Sequence, residues 1–101
     1  MKKSIITKNN SIIIDFEEFS KLNFDQQKEE LNLYLSNNES NNDIYINFNE
    51  LLYTDEQLEN IFTYIISLNF DKRIILNGIK DENFLFIEYL FNIDKIKKAH
   101  S

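Results

Sequence analysis

The chain reads as a single α/β domain: a four-stranded mixed sheet with three helices mainly on one face, in the order β-β-α-β-α-β-α. Three observations predict it. Two apolar runs, Lys2–Lys8 and Ser11–Phe16, are parted by Asn9-Asn10, residues that tolerate positive φ, so a hairpin is expected. The stretch from Asp43 to Leu76, DIYINFNELLYTDEQLENIFTYIISLNFDKRIIL, passes from strand to loop to helix to strand. That is a βαβ unit, whose crossover should be right-handed. A further helix follows after Gly78, which ends the last of the four strands. A mixed sheet carrying its helices on one side satisfies this order.

Taken along the chain, Glu17–Leu22 reads as a short linker, and Asn23 as the cap of a helix reaching about Ser36. Phe24, Leu31 and Leu35 share a stripe there, joined by Gln27 and Lys28, while Leu33 falls off it. The polar run Asn37–Asp43 is a surface loop. Ile44, Ile46 and Phe48 alternate with Tyr45 and Asn47, so Ile46 and Phe48 should face the helices and Tyr45 and Asn47 should face away. Thr54 and Gln57 form a T-x-x-Q capping box. Leu58, Ile61, Phe62, Ile65 and Leu68 make the apolar face of the helix it opens, and Asn69 is its expected stop. Arg73–Asn77 is the fourth strand. Asp81 is the expected cap of the last helix and Asn92 its left-handed end. Lys95, Lys97 and Lys98 read as a basic tail, favourable near a helix C-terminus.

A chain of 101 residues can bury roughly two-thirds of its surface, enough for one core. It has no Cys, and its one His is His100. Chemistry that needs thiolate or imidazole is therefore close to excluded, and no enzyme, cofactor or metal site is expected. The net charge of −6 argues against nucleic-acid binding, which needs cations against phosphate. It suits a cytoplasmic protein, or one that docks on a basic partner. No apolar run approaches the roughly 20 residues of a membrane span, and no signal peptide follows Met1-Lys2-Lys3. The lack of Val and Pro beside many Ile, Asn and Lys points to an AT-rich genome, bacterial or phage.

Four segments, in order, resemble the STAS domain of anti-sigma-factor antagonists, from about Ser4 to Ile96. Ser20-Lys21-Leu22-Asn23 resembles the lead-in to that family's first helix. Ile46 to Leu58, INFNELLYTDEQL, resembles LDLSGVxxIDSSGL but is one residue shorter. Ile75-Leu76-Asn77-Gly78-Ile79 resembles the LVGVS strand end, and Leu90 to Ile96 resembles LTGLDKI. The resemblance implies a non-catalytic regulatory module whose partner is a kinase-like anti-sigma factor or a membrane-transport component. In regulated members a Ser opening the second helix is phosphorylated. Holding Leu58 in register puts Glu56 at that position, Asp55 beside it and Gln57 at the family Gly. Thr54 is the only aliphatic hydroxyl close by, and capping accounts for it. The phosphoswitch is not expected to operate.

In open sheets the loops beyond the carboxyl ends of the strands carry the functional surface. The expected partner-binding residues are therefore Glu50, Tyr53, Thr54, Asp55, Glu56, Gln57 and Glu59. The acids are also explained by the positive end of the helix dipole. No ligand spacing for a metal is present, and a lone Gly78 makes no phosphate cradle. The last helix is apolar almost all round, so Phe84, Phe86 and Leu90 are a second candidate contact, covered by a second copy in a homodimer, by a partner or by the tail. An alternative function is a small acidic inhibitor or immunity protein, of phage or toxin-system origin, that covers a basic active site.

Overall fold

Asn9 and Asn10 both take left-handed backbone angles, φ 52° and 64°, and turn the chain through a tight hairpin. The computed structural model that shows this describes residues 3–37, 43–68, 73–92 and 96–99. The hairpin joins β1 (Ile5–Lys8) to β2 (Ser11–Asp15). Then come α1 (Phe16–Phe19), α2 (Phe24–Asn37), β3 (Asp43–Asn47), α3 (Asp55–Ser67), β4 (Arg73–Asn77), α4 (Asp81–Phe91) and β5 (Ile96–Ala99). The sheet order is β1-β2-β3-β4-β5. Only β1–β2 is antiparallel; each later strand runs parallel to its neighbour.

The four expected strands form the mixed sheet, and two additions correct the expected order. The first is α1, in the stretch read as a linker. Asp15 ends β2 and accepts from the Glu17 N–H at 3.2 Å, which turns the chain directly into a helical turn. That turn drops Phe16 and Phe19 into the core, each 1% exposed. The second is β5. Lys97 and Lys98, read as a loose basic tail, belong to a strand paired with β4. Lys95, Asn69 and the run from Asn38 to Asn42 lie outside the described residues.

Period-two alternation decides which face of the sheet is covered. Ile12, Ile14, Ile44, Ile46, Ile74 and Leu76 are buried beneath the helices. Their neighbours Ile13, Tyr45, Asn47, Ile75 and Asn77 are only half-buried on the other face. The expected register of β3 therefore holds, with Ile46 and Phe48 inward and Tyr45 and Asn47 outward. Burying these branched side chains contributes about 1.5–3 kcal/mol each, and drives the helices onto one side. In α3 the inward stripe is Leu58, Ile61, Phe62 and Ile65. In α2, Leu31 and Gln27 are buried while Leu33 is exposed, and Gln27 satisfies its amide by donating to the Phe19 carbonyl at 3.0 Å. Asn23 and Gln26 cap α2 reciprocally, at 2.8 and 3.0 Å.

Aromatic rings fill the centre. Phe16 lies 4.9 Å from both Phe48 and Tyr53, and Phe48 stacks on Phe62 at 6.4 Å. This cluster sits under the carboxyl ends of β2 and β3, directly beneath the loop expected to carry function.

Candidate functional site

The site begins where β3 runs out. Phe48 points fully inward, and its N–H donates to the Asn77 carbonyl at 2.9 Å. The next two residues, Asn49 and Glu50, both adopt left-handed backbone angles, φ 56° and 57°. Two consecutive non-glycine residues there are unfavourable by about 1–2 kcal/mol each, less for Asn. Neighbouring strand ends hold them in place. The Glu50 N–H donates to the Gly78 carbonyl at 2.8 Å, and the Leu51 N–H to the Phe48 carbonyl at 3.1 Å. Asn49 Nδ2 donates to Asp15 Oδ1 at 3.2 Å and to Glu17 Oε1 at 3.3 Å. Gly78 is itself left-handed, φ 61°, and a Cβ on it would stand 3.4 Å from both the Asn49 and Glu50 nitrogens. The single glycine is thus a close-packing residue that lets two loops touch.

Beyond Glu50 the chain is pinned a second time. Asn83 in α4, only 3% exposed, accepts from the Tyr53 N–H and donates to the Tyr53 carbonyl, both at 2.9 Å. It reads as a main-chain strand partner supplied by a side chain. Thr54 and Gln57 then close the expected capping box. Gln57 N–H donates to Thr54 Oγ1 at 3.2 Å, and Thr54 N–H to Gln57 Oε1 at 2.9 Å. At the other helix the expected cap is corrected. Lys80 is the N-cap of α4, without a side-chain cap bond, and Asp81 stands one residue inside. Its carboxylate favours the dipole from there. Asn92 closes α4 in the left-handed conformation expected of it, φ 47°.

These contacts sort the expected site residues. Glu50, Asp55, Glu56 and Glu59 are exposed on one continuous segment. Thr54 and Gln57 bond each other across the helix cap. Tyr53 is not the exposed interface ring the sequence suggested. It is 9% exposed, edge-on to Phe16, with its hydroxyl 3.5 Å from the Phe48 carbonyl. Burial, then the nearby Glu17 and Asp15, push its pKa up to about 12. Its role is to seat the loop on the aromatic core. The apolar side chains that the loop does present are Leu51 and Leu52, 41% and 59% exposed. The sequence carried a signal for them: an apolar pair outside the strand alternation, between the strand end and the helix cap.

The arrangement is a preset ridge, two leucines flanked by Glu50 on one side and Asp55 and Glu56 on the other. Among the described residues no group of three or more His, Asp or Glu is placed to hold a metal ion. No described helix is long and apolar enough to cross a membrane.

The second candidate surface is rearranged. Asn83, Ile87 and Phe91 are the buried line of α4, and Phe84, Phe86 and Leu90 are half-buried against the core. The residues left outward are Leu85 and Tyr89, 61% and 80% exposed.

A scan against protein-family models and searches of curated proteins and of solved structures found no match to this chain.

Proposed function

We propose that this chain is a non-catalytic, STAS-type interaction module that binds a regulatory protein through the Asn49–Glu59 ridge. The observation that carries this reading is the double clamp on the loop. Asn83 fixes Tyr53 from below, Gly78 and Asn49 fix Glu50 from the side, and Leu51 and Leu52 are left in solvent between them. A loop held in a strained conformation with apolar side chains outward is already ordered for binding, so a partner meets little entropic cost. The resemblance adds the register in which Glu56 occupies the family's phosphorylated position, as a permanent negative charge.

The partner surface that fits is an apolar socket rimmed with Lys or Arg. A regulatory kinase-like protein or a transport component is the class the resemblance implies. Recovery of a nuclease in pull-down would favour the inhibitor reading instead. With a partner in hand, binding kinetics test the surface. Leu52→Ala should raise the dissociation rate roughly ten-fold, as for a modest interface anchor. Glu56→Lys should slow association and blunt its salt dependence, as rim charges do. Glu29→Lys, on α2, is the control. If the control weakens binding while both ridge variants bind like the parent, the functional surface lies elsewhere.

A further inference from the structure

We propose that β1 is a dimerisation edge, on which a second copy of the chain pairs antiparallel about a two-fold axis at Ile6 and joins two sheets into one.

The phase of the hairpin sets up the edge. Asp15 N–H donates to the Ser4 carbonyl at 2.8 Å, so Ser4 and Asp15 are a hydrogen-bonded pair. Along the register Ile5↔Ile14, Ile6↔Ile13, Thr7↔Ile12, Lys8↔Ser11, bonded and non-bonded pairs alternate. The main-chain groups of Ile6 and Lys8 therefore face β2, and those of Ile5 and Thr7 face outward. Among the described residues no strand pairs with that side, because β1 ends the sheet.

Native edges are usually blunted by Pro, a bulge or a central charge. The centre of this one is Ile6, 45% exposed. It ends an apolar row on the open face that runs Ile6, Ile13, Tyr45, Ile75 across four strands. The strand is self-complementary about that residue. Ile5 meets the partner's Thr7, Thr7 meets the partner's Ile5, and all four outward main-chain groups are satisfied. Ile6 meets the partner's Ile6 in a non-hydrogen-bonded pair, the closer kind. The apolar row then continues unbroken into the second sheet. Each Lys8 falls opposite the partner's Ser4, so the two lysines lie at opposite ends of the seam. On the helix side a groove of about 660 Å³ runs beside this edge, lined by Leu22, Leu33 and Tyr34 among others, with Leu33 56% exposed. The same groove of the second copy would lie against it. Two chains of −6 repel, so association should strengthen with salt.

Light scattering and sedimentation of the full chain across concentration and salt give the first readout. The expected result is a species of twice 12.2 kDa, with Ile5 and Thr7 amides protected from exchange as it forms. Thr7→Pro and Ile6→Lys should return it to monomer with unchanged circular dichroism. Pro at Thr7 removes only an outward N–H, so it leaves the β1–β2 ladder intact. Should either variant unfold, crosslinking decides. The chain has no Cys, so Ile6→Cys carries a single thiol. Paired Cα atoms at about 4.5 Å lie within disulfide reach, and oxidation should give a covalent dimer. Lys8→Cys should not crosslink, its two copies being about 13 Å apart along the seam. A parent that stays monomeric at every concentration and salt, or a dimer that survives the β1 variants and is lost on Leu85→Ser with Tyr89→Ser, would overturn the proposal.

Discussion

Replacing Asn83 by Ala should destabilise the protein by about 3 kcal/mol. The side chain makes two hydrogen bonds to one residue, Tyr53 N–H and C=O, each at 2.9 Å. Both partners are main-chain groups in a buried place, and both are left without their mate when the amide is cut back. An unsatisfied buried donor or acceptor costs about 1–3 kcal/mol, so two such groups cost about 2–6. Water entering the space left by the amide brings the figure toward the lower half. Against a total stability of about 5–15 kcal/mol this is a large share. Urea unfolding followed by circular dichroism measures it. With a slope of about 1–1.5 kcal/mol per M, the midpoint should fall by about 2–3 M at unchanged slope. Asn83→Asp keeps an acceptor for the Tyr53 N–H but offers no donor, and it buries a charge, so it should be no better than Ala. A loss below about 0.5 kcal/mol for Asn83→Ala would refute the reasoning, since it would mean the loop holds its place without the clamp.

Three further outcomes are expected. Thr54→Ala removes one arm of the capping box and should cost about 1 kcal/mol by the same unfolding assay. Glu50→Gly relieves a left-handed non-glycine residue and should raise stability by about 0.5–1 kcal/mol, while slowing association with the proposed partner if that surface carries the binding. The pKa of Tyr53 is raised in the fold, to about 12 against an unfolded value near 10, so its contribution is whole below about pH 10 and is lost as pH climbs toward 12. Tyr53→Phe should flatten the fall in urea midpoint across that window relative to the parent.

Much of the architecture was legible because it follows simple periods. Ile44, Ile46 and Phe48 announce a strand and its buried face, and Thr54 with Gln57 announces a helix start to the residue. Two elements escaped for physical reasons. α1 is a single turn, too short to show a helical period, and Asp15 caps it while also ending a strand. β5 was hidden because Lys97 and Lys98 break the apolar pattern that marks a strand; pairing with β4, not side-chain pattern, defines it. In the candidate site the acids were readable as a run. Burial of Tyr53 was not, since it depends on Phe16 arriving from thirty-seven positions earlier in the chain, a contact no local pattern encodes. Leu51 and Leu52 run against the rule that apolar residues lie inside, and the left-handed turn at Asn49 and Glu50 that leads into them is not marked by any glycine.

The strand order β1-β2-β3-β4-β5 bears on how the molecule is born. Each strand is laid beside the one synthesised just before it, so a chain leaving the ribosome always finds its next neighbour already in place. Residues up to Ser67 contain Phe16, Phe48, Tyr53 and Phe62, enough for the aromatic centre to gather early. The ridge is different, because its clamps come late: the Asn77 and Gly78 carbonyls, then Asn83. A nascent chain should be mute toward the proposed partner until Asn83 has emerged, even with Glu50, Leu51 and Leu52 long outside. Stalled ribosome complexes of increasing length would show it as a step in partner capture, placed after Asn83 clears the exit tunnel and abolished by Asn83→Ala.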